Sequence, residues 1–291
     1  MSPLYVINSQ GQQEPFSFKK IYISAQRVGA PKPLARNIAK QIQKEAYPGI
    51  TTKEIYQKIH DALYLEKPVY GMRYSLKEAI RKLGPSGFPF EKYIGAIFQT
   101  LGFDVLYHQF ISGKCISNYE IDFLAKKDKQ LLLGECKFHS FSGNRVDLKV
   151  ALANYARFLD IKNGDFFKKE KLKNLKLRPL LVTNTKFTSQ VIQYANCYKV
   201  DLLGWRYPEL RGLEYLIESE KLYPVTILPS INQHILSLFA NYHLMLIKDI
   251  ISPEGLRKLK KIGLLQKEIE TLQKEADLLL NYSNNDKRFT L

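Results

Sequence analysis

Two charged residues interrupt an apolar stretch of the sequence, LLLGECKFHS, at residues 131–140. Side chains alternate across a β-strand, so Glu135 and Lys137 would point to one face of such a strand. A second apolar segment, YEIDFLA at residues 119–125, carries Asp122 at its centre. The two segments are separated by the polar KKDK, which predicts a hairpin. Pairing in that hairpin would bring Asp122, Glu135 and Lys137 into one small site.

These three residue types suit one kind of chemistry. Two carboxylates supply the hard oxygen ligands that Mg²⁺ and Mn²⁺ prefer. A lysine can orient a water molecule and offset negative charge that develops in a transition state. Metal-assisted attack of water on a phosphodiester needs these groups. A salt-bridged hairpin that faces solvent would contain the same residues, so the spacing alone leaves both interpretations open.

The charge of the chain favours a polyanionic partner. The 291 residues include 44 Lys and Arg against 28 Asp and Glu, a formal net charge of +16. Nucleic acid or an anionic membrane surface would fit this excess. No apolar run reaches the roughly 18 residues of a membrane-spanning helix, which favours nucleic acid.

Length and composition predict a folded protein of two or three domains. With 45% hydrophobic and 12% aromatic residues the chain can bury a core. The start of the chain lacks the basic and apolar segments of a secretory signal. The three cysteines form neither a disulfide framework nor a zinc-binding pattern. These features predict a reduced, cytoplasmic protein.

The order of predicted elements divides the chain into three ranges. Residues 1–84 read as a short strand, a turn, a second strand and amphipathic helices, and end at the boundary signal GPSGFP. Residues 86–228 read as helix, three strands, helix, strand, helix and strand, which predicts an α/β layer with a mixed sheet. Within this range, RVDLKVALANYARFLD at 145–160 reads as one helix. Residues 229–291 read as almost wholly helical.

From Phe88 to about Trp205 the chain resembles the PD-(D/E)xK nuclease superfamily, in particular restriction-endonuclease-like domains of the Mrr type. The resemblance is carried, in order, by FPFEKYIGAIFQTLGFDV, YEIDFLA, GECK and LVTNTKFTSQVIQYA. The stretch ECKFHSFSGNRVDLKVALANYARFLDI is similar to a subgroup in which such a nuclease follows an ATP-cone domain.

The resemblance implies roles for individual residues. Asp122 and Glu135 would bind the metal, and Lys137 would be the catalytic lysine. Glu91 would help to hold a second metal or a metal-bound water, although an exposed acid near a helix N-terminus is an equally good interpretation. Lys149 lies close after the motif and would contact phosphate, although an Asp–Lys pair on a helix is more often structural.

Residues 1–84 resemble the ATP-cone, a small regulatory nucleotide-binding domain, through GQQEPFSFKKI and RYSLKEAI. The resemblance implies ATP or dATP as a ligand, with Glu14 and Lys20 at matching positions. The family usually has a Lys-Arg-Asp-Gly-like sequence in its first turn, whereas this chain has Asn-Ser-Gln-Gly at residues 8–11. The sequence therefore predicts the domain fold with weak or absent ATP binding.

A basic segment at residues 160–178, DIKNGDFFKKEKLKNLKLR, is the other candidate for DNA contact. Phosphate contacts there would add salt-dependent, sequence-independent affinity. A solvated loop is the alternative. The candidate phosphate contacts in this segment are Lys168, Lys169, Lys171 and Lys173.

The sequence therefore predicts a multidomain α/β protein. It would comprise a small, mostly helical ATP-cone-like domain with a short β-hairpin, a central restriction-endonuclease-like α/β domain with a mixed sheet, and a helical C-terminal domain. The predicted activity is that of a Mg²⁺- or Mn²⁺-dependent deoxyribonuclease of the type II restriction-like kind, acting in restriction or DNA repair. DNA is the predicted partner, no membrane partner is expected, and a homodimer is left open. The alternative is a catalytically idle DNA- or nucleotide-binding regulator built on the same domains.

Overall fold

The computed structural model describes residues 4–84, 88–141, 143–168 and 174–282. Lys169, Lys171 and Lys173 of the predicted DNA-contacting segment lie outside these ranges. None of the helices in the described part of the chain combines the length and the apolarity needed to span a bilayer.

The chain is a mixture of helices and short strands. The α-helices of the described residues, numbered along the chain, are α1 (Phe18–Arg27), α2 (Lys32–Glu45), α3 (Thr52–Glu66), α4 (Pro68–Tyr74), α5 (Leu76–Arg81), α6 (Phe88–Thr100), α7 (Leu148–Asn163), α8 (Ser189–Tyr198), α9 (Leu213–Ser219), α10 (Gln233–Asn241), α11 (Ile247–Ile251), α12 (Pro253–Ile262) and α13 (Gln266–Leu280). The strands are β1 (Tyr5–Ile7), β2 (Gln13–Pro15), β3 (Ile50–Thr51), β4 (Asp104–Ile111), β5 (Tyr119–Lys127), β6 (Gln130–Lys137), β7 (Arg145–Val146), β8 (Lys176–Thr183), β9 (Lys186–Phe187) and β10 (Asp201–Leu203).

Contacts group the chain into two compact units. The first contains the described residues of Met1–Ile80, Val225–Asn232 and Ile247–Leu291, and the second contains those of Arg81–Pro224 and Gln233–Leu246. The division near residue 80 lies close to the predicted boundary at residues 84–86. The predicted helical C-terminal range is divided, since α10 groups with the second unit and α11 to α13 group with the first.

The first unit contains a three-stranded sheet in the order β2-β1-β3. β1 and β2 form the expected antiparallel hairpin, and Gly11 in its turn has φ of 77°, a conformation that suits glycine. In helix α13 of the same unit, the apolar residues Ile269, Leu272, Ala276 and Leu279 recur at helical spacing and are buried, whereas Leu265, which the same spacing would include, is exposed. The first unit therefore follows the local sequence patterns closely.

The second unit is built on a five-stranded sheet in the order β10-β8-β6-β5-β4. β4, β5 and β6 are antiparallel neighbours, whereas β6, β8 and β10 run parallel. The mixed α/β sheet predicted from the sequence is thus confirmed.

Helices cover both faces of this sheet at its centre. On one face, Leu131 and Leu133 of β6 pack with Phe158 and Ile161 of α7. On the other face, the ring of Phe123 in β5 lies against the ring of Phe98 in α6, with 5.4 Å between the two ring centroids. The middle of the sheet is therefore buried on both sides, which explains why β6 is apolar up to its last residues.

A glycine allows the close packing at the centre of the sheet. A Cβ atom added to Gly134 would lie 2.2 Å from the ring of Phe123, far closer than real contacts allow. Gly134 therefore allows the Phe123 ring to pack directly against β6, one residue before Glu135.

The segment after β6 differs from the sequence prediction. Arg145 and Val146 form β7, which pairs in parallel with β9, rather than the first turn of a helix. Helix α7 begins only at Leu148, because the side chain of Asp147 caps it by accepting a hydrogen bond from the backbone N–H of Val150 (3.2 Å). The predicted helix over residues 145–160 therefore starts three residues too early.

Candidate active site

The site forms where β6 leaves β5. The last residue pair between these strands is Phe123 with Gly134, whereas β6 continues along β8 as far as Lys137. Beyond the last pair, the backbone N–H of Cys136 donates a hydrogen bond to Asp122 Oδ2 (2.6 Å). The Asp122 carboxylate thus takes the place of a backbone partner, which fixes its position next to Glu135.

His108 of β4 lies beside Asp122 across the sheet. The pairs Tyr107 with Phe123 and Gln109 with Ile121 place His108 opposite Asp122 in the register of the sheet. His108 has φ of 48°, an uncommon conformation for a residue other than glycine. Sequence analysis missed this residue, although a polar residue in the middle of the predicted strand FDVLYHQFI was a usable signal.

The His108 ring is held between an aromatic ring and two acids. It stacks on Phe88, with 5.2 Å between the ring centroids and 16° between the ring planes. Its Nε2 lies 3.8 Å from Glu91 Oε2, and its Nδ1 lies 3.6 Å from Glu120 Oε1. These separations are longer than hydrogen bonds.

Glu91 lies in the first turn of α6, as predicted, but its side chain is only 18% exposed. Burial, followed by the negative charges of Asp122, Glu135 and Glu120, raises the pKa of Glu91 to about 7. The interpretation of Glu91 as an exposed acid is therefore wrong. The structure brings Glu91 into the electrostatic environment of Asp122 and Glu135.

This raised pKa predicts a pH-dependent stability. The pKa of Glu91 is above its usual value of 4.5, so the folded protein binds the proton more tightly than the unfolded chain. Stability should therefore fall as pH rises from about 4.5 through 7, by up to about 3 kcal/mol for this group. We expect Glu91→Gln to be more stable than wild type at pH 8 in EDTA and similar at pH 4.5, as measured by urea denaturation.

The matched control for this prediction is Glu220→Gln, which removes an exposed acid in the same unit. It should change stability little at either pH. A Glu91→Gln variant whose stability relative to wild type did not change with pH would contradict the raised pKa.

Glu135 is engaged by a cation from α7. Arg157 Nη2 forms an ion pair with Glu135 Oε2, and Arg157 Nη1 donates a hydrogen bond to the carbonyl oxygen of Glu120 (3.3 Å). The two paired side chains are 23% and 25% exposed. Arg157 was not identified from the sequence, because an arginine on a predicted helix has no local feature that points to a partner on a distant strand.

Burial shapes the electrostatics of both predicted metal ligands. Burial is the main cause that raises the pKa of Asp122 and the pKa of Glu135 above their usual values. The Asp122 charge raises the pKa of Glu135 further, whereas Arg157 and Lys137 lower it. The site therefore holds negative charges that repel one another and that favour a nearby cation.

Lys137 is the last residue of β6 and is exposed. The chain just beyond it is held by the buried side chain of Asn184. Asn184 Oδ1 accepts a hydrogen bond from the backbone N–H of His139, and Asn184 Nδ2 donates one to the His139 carbonyl oxygen, both at 2.9 Å. This two-point contact fixes the backbone on which Lys137 is presented.

The donor set suits a divalent cation in chemistry. Asp122 and Glu135 offer carboxylate oxygens, with Glu91 nearby, and these are the ligands that Mg²⁺ and Mn²⁺ take. Within the described residues, however, no three His, Cys, Asp or Glu side chains are already arranged to hold a metal ion. Because Arg157 pairs with Glu135 Oε2, metal binding through that oxygen would require this guanidinium to move away.

The other residues predicted from the sequence differ from this acidic cluster, because they are exposed or already form ion pairs. Lys149 is exposed in the first turn of α7. Lys168 is exposed and pairs with Asp165 at 2.7 Å, which favours the solvated-loop interpretation for this residue. In the first unit, Glu14 Oε2 lies 3.1 Å from Lys20 Nζ.

The second unit is an α/β domain. Its mixed sheet presents Asp122, Glu135 and Lys137 where β6 separates from β5. The chain belongs to the AF1548-like family. An uncharacterized protein from Archaeoglobus fulgidus is 36% identical over 180 residues, which cover 62% of this chain and 95% of that protein.

Two further similarities agree with this family. The family model described as AF1548-like, C-terminal, matches residues 223–280. The crystal structure of AF1548, described as a protein of unknown function, is similar with a TM-score of 0.57 and 31% identity. That similarity covers 67% of this chain and 99% of AF1548. These descriptions specify no reaction.

Proposed function

We propose that this protein is a metal-dependent deoxyribonuclease that hydrolyses phosphodiester bonds in DNA, with a role in restriction or DNA repair. The observation that carries the proposal is the position of Asp122 beside Glu135 where β6 leaves β5, fixed by the hydrogen bond from Cys136. Lys137 follows on the same face of β6 as Glu135.

The proposal extends to the kind of domain. Residues 86–228 are proposed to be a PD-(D/E)xK domain of the Mrr type, as the sequence resemblance implies. The mixed sheet supports this, since Asp122 and the Glu-x-Lys sequence lie on neighbouring strands. The burial of Glu91 next to these residues adds support, because it gives the helix acid a place in the site.

Each residue then has a role in hydrolysis. A bound Mg²⁺ or Mn²⁺, held by Asp122 and Glu135, would activate water and offset charge on the scissile phosphate. Lys137 would donate hydrogen bonds from Nζ to the attacking water or to a phosphate oxygen, where negative charge accumulates. Glu91, with a pKa of about 7, could exchange a proton with water near neutral pH.

The direct test uses the purified full chain with plasmid, linear and branched DNA. We expect strand cleavage in Mg²⁺ or Mn²⁺ and none in EDTA, as measured by gel electrophoresis. Lack of cleavage of all these DNA forms, in a protein shown to bind Mn²⁺, would contradict the proposal.

One observation favours the second candidate, a catalytically idle DNA- or nucleotide-binding regulator. The ion pair between Arg157 and Glu135 gives the acidic site a counter-charge of its own. A protein that does not bind Mn²⁺ but still binds DNA would fit this regulator. The intact set of Asp122, Glu135 and Lys137 favours the enzyme.

Residues 1–84 are proposed to be an ATP-cone-like domain with weak or absent ATP binding. The hairpin β1–β2 followed by helices supports the domain. Its turn carries Asn8, whose Nδ2 donates to Glu14 Oε1 (2.8 Å), while Lys20 pairs with Glu14. The remaining candidate cation thus has an acidic partner.

We therefore expect calorimetry of the full chain with ATP, dATP and ADP to show weak or no binding. Loss of two charge-assisted contacts of about 1.5–3 kcal/mol each would lower affinity by roughly 10²- to 10⁴-fold. Micromolar binding that Lys20→Ala removes, and that the neighbouring control Lys19→Ala retains, would contradict this expectation.

A further inference from the structure

Two cations lie side by side on the short ladder between β7 and β9. Arg145 pairs with Lys186, and Val146 pairs with Phe187, in parallel register. Val146 and Phe187 are 1% and 4% exposed and belong to one core cluster, whereas Arg145 and Lys186 are exposed. We call Arg145 and Lys186 the basic ladder.

This arrangement is unfavourable in the protein alone. Neighbouring side chains on paired strands lie about 5 Å apart, and like charges placed directly opposite destabilise a sheet. Among the described residues neither cation has a carboxylate partner at ion-pair distance. Asp147, the acid nearest to Arg145 in the sequence, uses its carboxylate to cap α7. An anion bound between the two cations would relieve their repulsion.

The basic ladder lies just beyond the strands that carry the candidate active site. Lys137 at the end of β6 is the direct neighbour of Thr183 at the end of β8. Lys186 follows Thr183 by three residues, a length of chain that spans at most about 11 Å. Since neighbouring strands are about 4.8 Å apart, the Cα atom of Lys186 lies within about 16 Å of that of Lys137.

We propose that the basic ladder binds backbone phosphates of the DNA strand next to the scissile phosphate. This inference rests on the proposed nuclease function, because it places the substrate backbone at the carboxyl ends of β6 and β8. The phosphates of one strand follow each other at about 3.4 Å along the helix axis, so the contacted phosphates lie within about five nucleotides of the cleaved bond. Lys149, exposed in the first turn of α7, follows Arg145 by four residues.

The test compares two double variants of the full chain. Arg145→Ala/Lys186→Ala removes the basic ladder. The control Lys126→Ala/Lys129→Ala removes the same charge from the β5–β6 hairpin, where both lysines are exposed. Affinity for a labelled 30-base-pair duplex, a length of about three helical turns, is measured by fluorescence anisotropy in EDTA over a range of salt concentrations.

We expect the slope of log K against log salt to fall by about 1.8 for the ladder variant, which corresponds to two lost phosphate contacts. The control should keep the wild-type slope. Equal losses in both variants, or an unchanged slope in the ladder variant, would overturn the proposal. Stability provides a second readout: loss of a structural contact would lower the melting temperature, whereas relief of like-charge repulsion should maintain or raise it.

Failure of this inference is distinguishable from failure of the proposed function. If the wild-type protein cleaves DNA but the ladder variant keeps its salt dependence, the ladder proposal alone is wrong. If the wild-type protein binds DNA with ladder-dependent affinity but never cleaves it, phosphate binding by the ladder stands, whereas the nuclease activity and the placement of the ladder next to a scissile phosphate are wrong. Should the ladder alanine variant fold poorly, Arg145→Gln/Lys186→Gln retains the aliphatic packing and serves the same comparison.

Discussion

Replacing Lys137 with alanine should lower the rate of metal-dependent DNA cleavage by about 100-fold or more. Lys137 is exposed at the end of β6, and its charge is the smallest of the named influences on the pKa of Glu135, so its removal should cost little stability. The loss should appear in the cleavage rate constant under single-turnover conditions, with saturating Mg²⁺. DNA affinity measured in EDTA should stay close to that of the wild type.

Lys129→Ala is the matched control for this prediction. Lys129 is an exposed lysine in the β5–β6 turn, at the opposite end of β6 from Lys137, so the variant loses the same charge in the same hairpin. Asp122→Asn and Glu135→Gln should also abolish cleavage and should weaken Mn²⁺ binding, which Lys137→Ala should not. Cleavage by Lys137→Ala at the wild-type rate would remove this residue from the mechanism.

Among the variants expected to destabilise the metal-free protein, Arg157→Gln should have the largest effect. The variant leaves the Glu135 carboxylate buried beside Asp122 without its cation partner. Breaking a buried ion pair by removing one partner costs about 3–5 kcal/mol, and partial exposure of this pair reduces the expected loss to about 2–3 kcal/mol. Urea denaturation in EDTA measures the difference.

Metal should reverse this loss. Because Arg157 occupies Glu135 Oε2, an oxygen that a divalent cation would also use, Arg157→Gln should bind Mn²⁺ more tightly than the wild type in calorimetry. Saturating Mn²⁺ should then recover most of the lost stability, since ligand binding to the folded state adds to its free energy of unfolding. The double variant Arg157→Gln/Glu135→Gln should recover stability without metal, because no unpaired charge is left. An equal loss in the single and double variants would show that the ion pair is not the cause.

The sequence by itself determined the local parts of the candidate site. In GECK and YEIDFLA, charged residues stand out from apolar strands, and strand alternation places Glu135 and Lys137 on one face. The turn between the two strands is short and polar, so the hairpin that joins Asp122 to Glu135 was also predictable. The mixed sheet followed from the order of helical and extended segments. All these features depend on residues close together in the chain.

The tertiary structure alone decided which distant residues complete the site. His108 reaches Asp122 only through the register of β4 against β5, and Arg157 reaches Glu135 only because α7 packs on that face of the sheet. The environment that raises the pKa of Glu91 likewise depends on burial and on acids from other strands. Such contacts depend on long-range packing, for which single residues give no local signal.

The basic ladder shows the same limit most clearly. Arg145 and Val146 lie directly before a strong helical pattern, and their local sequence favours continuing that helix. In the folded protein their backbone groups pair with β9 and Val146 enters the core, while Asp147 starts α7 as its cap. A two-residue strand gains its stability from its partner, not from its own propensity. Its existence, and with it the side-by-side placement of Arg145 and Lys186, was therefore settled only when segments some forty residues apart came together.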